Sequence, residues 1–132
     1  MPALGKLGTG ARYALGVIRF VNGAIGLVAP AVIMRRFGED EPAGNPAATY
    51  GLRLFGVRTV LIGADLLRTR GAELDHAIRV APIIHASDTA TVLALQRSKQ
   101  LSPELARPLA LISGTNTLLA VIAFLTARRR RP

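Results

Sequence analysis

Four apolar runs, each about 17 to 22 residues long, constrain this chain more than any other feature of its sequence. They cover 13–34, 50–67, 76–95 and 109–125. At about 1.5 Å of rise per residue, a helix of that length crosses the ~30 Å hydrocarbon core of a bilayer, whereas helices of soluble domains are usually shorter. The segments between the runs carry helix-ending chemistry. They are Phe37-Gly38 followed by Glu39, Asp40, Glu41, Pro42, Gly44 and Pro46; then Arg68-Thr69-Arg70-Gly71; then Ser98 to Pro103. Short connections join antiparallel neighbours, so the expected fold is all-α, a four-transmembrane-helix up-down bundle forming one integral membrane domain over 1–132. Pro30, Pro82 and Pro108 fall in or near the runs, and spanning helices tolerate proline where neighbours satisfy the freed carbonyls. Ser102-Pro103-Glu104 reads as an N-cap, a first-turn proline and an early acid, predicting a short amphipathic turn ahead of the fourth helix.

Half of the 132 residues are hydrophobic and 19% are charged, which excludes a disordered chain. There is no cysteine, so a disulfide scaffold, an iron–sulfur cluster, a cysteine zinc site and a thiol nucleophile are all excluded. No metal site is expected, because His85 with Asp88 supplies two ligands and His76 lies more than two helical turns back. The net charge of +9 invites a nucleic-acid reading, but the arginines are scattered through apolar runs and only 5% of residues are aromatic. A nucleic-acid partner is therefore not expected. Neither a phosphate-binding glycine loop nor a Gly-x-Ser-x-Gly elbow occurs, so the sequence carries no catalytic motif and calls for no cofactor.

The first run competes with a cleavable signal peptide, since Lys6 and Arg12 precede it and Ala29-Pro30-Ala31 imitates a small-residue site. Arg19 in its middle and the proline at the site argue for a retained span instead. In a four-span arrangement one side holds Lys6, Arg12, Arg68, Arg70 and Arg128 to Arg131, against Arg35, Arg36, Arg97, Lys99 and Arg107 on the other. The excess predicts both termini in the cytoplasm. The four-arginine tail serves as a topological anchor, or docks on anionic headgroups.

Helical spacing sorts the polar and small residues onto faces. Arg12, Gly16, Arg19, Gly23, Gly26 and Pro30 form one stripe at alternating steps of four and three. Small residues let helices approach closely in lipid, so Gly16, Gly23, Gly26, Gly56 and Gly63 are expected at helix contacts. Gly56 and Gly63 repeat the seven-residue spacing of Gly16 and Gly23, with valine and arginine following each first glycine, a faint sign of internal duplication. An ionised group near the bilayer centre costs roughly 2.5 to 3.5 kcal/mol on insertion scales. Arg19, Asn22, Arg58, Asp65, His85, Asp88 and Asn116 are therefore expected to form a buried polar cluster, with Arg58 or Arg19 paired to Asp88. Asp65, Arg53 and Arg79 lie nearer helix ends and can snorkel. Two uses of the cluster stay open. A buried His beside a carboxylate serves as a general base or proton relay, or else an arginine–aspartate clamp holds the helices while His85 bonds a backbone carbonyl or Asn116. Ser113 to Thr117 add a polar patch on the fourth helix.

The series Arg19-Phe20-Val21-Asn22-Gly23-Ala24-Ile25-Gly26-Leu27-Val28-Ala29-Pro30, then Gly51-Leu52-Arg53-Leu54-Phe55-Gly56-Val57-Arg58 with Gly63, then Asp88 on a third helix, resembles the small four-helix bacterial membrane proteins of the DoxX-like type. The resemblance runs from about Arg12 to Leu125 and implies a multi-pass protein of the bacterial inner membrane. Some DoxX proteins are associated with quinone-linked sulfur oxidation. The redox cysteines of part of that group have no counterpart here, which removes a thiol mechanism. The expected function is that of an accessory or structural subunit, with membrane lipids and a larger membrane complex or homo-oligomer as partners. The alternative is a binding protein or enzyme for an apolar ligand, quinone or lipid, held by the midplane Arg/His/Asp cluster.

Overall fold

The computed structural model describes residues 2–129. These form helix α1 (Pro2–Val28), α2 (Pro30–Arg36), a 3-10 turn (Pro42–Gly44), α3 (Pro46–Arg68), α4 (Gly71–Arg97) and α5 (Pro103–Arg128), with no strand among the described residues. The protein is all-helical, as the apolar runs predict. Five α-helices replace the expected four, because the first run is not continuous. Proline disfavours helical geometry in the residue before it and lacks the N–H of the next helical bond, and Ala29 accordingly leaves the helix with φ −137° and ψ 57°. Its N–H still closes α1 on Ile25 O at 2.8 Å, and its carbonyl opens α2 by accepting from Val32 N at 3.0 Å. Pro82 and Pro108 lie inside α4 and α5 without ending them, since those two helices pack against each other. The short turn expected before the fourth helix is merged into α5, whose first turn is capped by Ser102 Oγ accepting from Leu105 N at 3.4 Å.

The other breaks follow the punctuation of the sequence. Gly38 takes φ +82° after α2, and Gly71 takes φ +59° where α4 begins. Asn45 caps α3, its Oδ1 accepting from Ala48 N at 3.1 Å ahead of Pro46 in the first turn. Among the described residues α1, α4 and α5 are long and apolar enough to cross a membrane. Helix α3 is of similar length, but Arg53, Arg58 and Asp65 dilute its apolar character.

Helix α1 is the centre of the bundle, packed against α3 on one side and α5 on the other, while α4 packs on α5 and scarcely touches α3. The α1–α3 contact is made backbone to backbone. A Cβ on Gly23 would stand 2.5 Å from Val60 N and 2.8 Å from Gly56 O, and one on Gly63 would stand 2.6 Å from Phe20 N and 2.7 Å from Gly16 O. Gly16 thus meets Gly63 and Gly23 meets Gly56. The shared seven-residue spacing has a packing reason, since antiparallel helices bring the two glycine pairs together two turns apart. Gly8 of α1 lies against Thr126 of α5, which puts the start of α1 and the end of α5 at one end of the bundle.

A compact apolar layer of Leu15, Leu66, Ile78, Ala81 and Ala120 fills the half nearer the termini. Outside, large apolar side chains stand free, among them Val28, Ile83 and Leu111, each more than 70% exposed. Inside are Arg19, Thr59, His85, Ser113 and Asn116.

Candidate functional site

The half of the bundle away from the termini is held apart by polar side chains, and a cavity of about 440 Å3 opens there among all four long helices and α2. Arg19 forms its floor. The glycines on either side of Arg19 on the α1 stripe draw α3 close, so its side chain is only 5% exposed. Its Nη1 lies 3.4 Å from Asp88 Oδ2 of α4, its Nη2 donates to Thr59 Oγ1 of α3 at 3.4 Å, and its guanidinium sits 5.6 Å from the centre of the Phe55 ring. One arginine therefore ties α1 to both α3 and α4. Of the two pairings expected for Asp88, the structure makes the one with Arg19.

The cluster is not closed. Arg19 Nε, both ring nitrogens of His85 and Asn116 Oδ1 are buried without a hydrogen-bond partner. His85 is fully buried and its Nδ1 lies 3.7 Å from Asp88 Oδ2, close enough for charge interaction but beyond a hydrogen bond. The expectation that His85 bonds a backbone carbonyl or Asn116 is thus not met. Asp88 keeps 36% of its side chain exposed, on the cavity side. Asn116 is 2% exposed and lines the same floor with Ser113 and the half-buried Asn22. Above them the walls are apolar, built from Ile25, Ile33, Leu52, Val92, Leu95 and Ile112, with Arg36 of α2 also lining the cavity.

Asp65 lies outside this cluster, and Arg58 makes no contact within it although its charge acts on Arg19. Both are exposed on α3, on the flank that also shows Leu54, Val57 and Leu61. The stripe of α3 facing α1 is Gly56, Thr59 and Gly63, and a helix turning about 100° per residue carries Arg58 and Asp65 away from it. Gly16, Gly23, Gly26, Gly56 and Gly63 all lie at the α1–α3 contact, as expected. Sequence reasoning passed over Thr59, although its place between Gly56 and Gly63 at steps of three and four marks it as inward-facing. It also missed the link between Thr89 and Thr117, whose hydroxyl oxygens lie 3.0 Å apart and join α4 to α5.

This arrangement suits a molecule with a hydrogen-bonding head and an apolar body. The floor offers a guanidinium N–H, an amide and a carboxylate, and the walls are apolar. Further cavities open at the terminal end of the bundle, one between α3 and α4, one among α1, α4 and α5 and one between α4 and α5. No family model, no curated protein and no solved structure matches the chain.

Proposed function

We propose that this chain is a four-span integral protein of a bacterial inner membrane that holds an apolar molecule with a polar head, quinone- or lipid-like, in the cavity above Arg19. The observation that carries this reading is the open polar floor. Arg19 Nε and Asn116 Oδ1 are buried at the foot of an apolar cavity with no partner in the protein, and a buried donor or acceptor left unpaired costs about 1 to 3 kcal/mol. A ligand head bonded to them removes that cost. Helix α3 is the fourth span in this reading, its Arg53 stem snorkelling along the outer face. The shared end of the two termini and the excess of Lys and Arg at that end support a cytoplasmic placement of both. A likeness to the DoxX-like proteins belongs to the same proposal and rests on the glycine and arginine positions alone.

Native mass spectrometry of the chain extracted in mild detergent tests the reading. A small apolar molecule should travel with the wild-type protein, and Asn116→Leu should lose it while membrane abundance stays within about twofold. If His85→Ala, Asp88→Asn and Asn116→Leu instead all vanish from the membrane and no small molecule is retained, the cluster is an internal clamp.

That outcome favours the second reading, an accessory subunit of a membrane complex. One observation speaks for it. Arg58 stands exposed among apolar neighbours on the outer flank of α3, where a partner helix would relieve the cost of charge in lipid.

A further inference from the structure

Two cavities enter the bundle from opposite ends, and along α4 one histidine, in the lining of neither, lies between their inner limits. The cavity away from the termini ends on Asp88. At the terminal end a cavity of about 650 Å3 opens between α3 and α4, with Asp65, Glu73 and His76 in its lining, and it reaches inward to Ala81 and Ile84. Ala81 and Asp88 are separated by seven residues on one continuous helix, about 10 Å of rise. His85 lies between them, one turn beyond Ala81 and one turn short of Asp88.

The state of His85 is unusual for a structural histidine. Its side chain is fully buried, yet neither ring nitrogen has a hydrogen-bond partner, and its Nδ1 faces the Asp88 carboxylate at 3.7 Å. A histidine kept for packing would have its N–H satisfied. Beside it stand Asp88 of its own helix and Arg19 of α1, held against Asp88, and the charge of Arg58 on α3 acts on Arg19 in turn. The buried polar groups that α3 and α5 bring to this region, Thr59, Ser113 and Asn116, do not titrate.

We propose that His85 passes protons between the cavity floor at Asp88 and the cavity between α3 and α4, making the protein a route for protons across its bilayer. A proton on the Asp88 carboxyl, or on hydronium beside it, bonds to Nδ1 as its bond to oxygen breaks. The imidazolium then gives its Nε2 proton to water on the α3–α4 side and is left neutral as the Nδ1–H tautomer. Rotation of the ring about Cβ–Cγ then turns Nδ1–H toward the α3–α4 side and presents the bare Nε2 to Asp88, so the next proton passes with the roles of the two nitrogens exchanged. No electrons move, and water is the only other reactant. The guanidinium of Arg19 beside the path repels sodium and potassium, while a proton relayed through the ring need not pass it as a free cation.

The purified full chain, reconstituted in phosphatidylethanolamine–phosphatidylglycerol vesicles loaded with potassium and a trapped pH dye, provides the test. On addition of valinomycin, wild-type vesicles should acidify at least about tenfold faster than protein-free ones, and His85→Gln should return the rate to the protein-free level. A sodium gradient should produce no matching sodium flux. Wild-type vesicles no faster than empty ones, or His85→Gln vesicles as fast as wild type, would overturn the proposal. Should His85→Gln fail to reconstitute, Ala72→Trp decides. Ala72 is exposed and lines the α3–α4 cavity, so the bulk of tryptophan should slow acidification severalfold without entering the core, and an unchanged rate would sink the route. Ligand retention is read in detergent and proton flux in vesicles, so each proposal can fail without the other.

Discussion

Arg19 has the most demanding surroundings in the molecule. A guanidinium in a low-dielectric interior is tolerable only where opposite charge and acceptors surround it, and Asp88, Thr59 and the Phe55 ring supply these from two other helices. Removing one partner of a fully buried pair costs about 3 to 5 kcal/mol, because the other charge is left uncompensated. Asp88 opens to the cavity with 36% of its side chain exposed, so Asp88→Asn should cost less, about 2 kcal/mol. The double change Arg19→Met with Asp88→Asn should be milder than either Arg19→Met or Asp88→Asn alone, since it leaves no orphan charge. Thermal unfolding of the three variants in detergent measures this. A double variant less stable than both single ones would mean that the pair contributes net stability.

Among the helices, the α1–α3 pair depends most on single atoms. At Gly23 and Gly56 the partner backbone occupies the space of a Cβ, and backbone, unlike a side-chain tip, has no rotamer to yield. Gly23→Leu should push the helices apart, cost about 3 kcal/mol or more and open the Arg19–Thr59 hydrogen bond. Gly114 of α5 meets nothing within 4 Å, so Gly114→Ala should leave packing intact and gain about 0.5 to 1 kcal/mol from helix propensity. The two substitutions should therefore shift the unfolding temperature in opposite directions. Gly16 differs in kind, because a Cβ there meets the Leu67 side chain at 2.8 Å before any backbone atom, and that side chain can turn aside.

Across the bundle the distribution of polarity is that of a protein solvated by lipid. Buried positions hold an arginine, a histidine and an asparagine, while Val28, Ile83 and Leu111 face outward; bulk water would reverse that preference. The even number of long helices returns the chain to the end from which it started. Because the sequence has no cysteine, one introduced thiol reports its own side of the membrane. In intact bacterial cells an impermeant maleimide should label Ala43→Cys, in the turn after α2, and should label Ala72→Cys, at the start of α4, only after permeabilisation. Labelling of both from outside would show that α3 does not span.

The sequence by itself determined the helical class, the sites of the chain breaks after α2, α3 and α4, and the glycine stripes, because each follows from periodicity or local backbone chemistry within one segment. It also pointed to Arg19 as inward-facing, since that residue shares its stripe with Gly16 and Gly23. Only the tertiary structure decided that Pro30 ends α1 while Pro82 and Pro108 leave their helices whole, because neighbouring packing outweighs the same local preference in two of three cases. It also decided which arginine meets Asp88. Spacing sets Arg19 on a glycine stripe and Arg58 two residues past Gly56 and off one, but it does not say which stripes meet; the packing of Gly56 and Gly63 against α1 turns Thr59 inward and Arg58 out. The cavity and the unpartnered ring of His85 belong to the same level of organisation, since both are spaces left between helices.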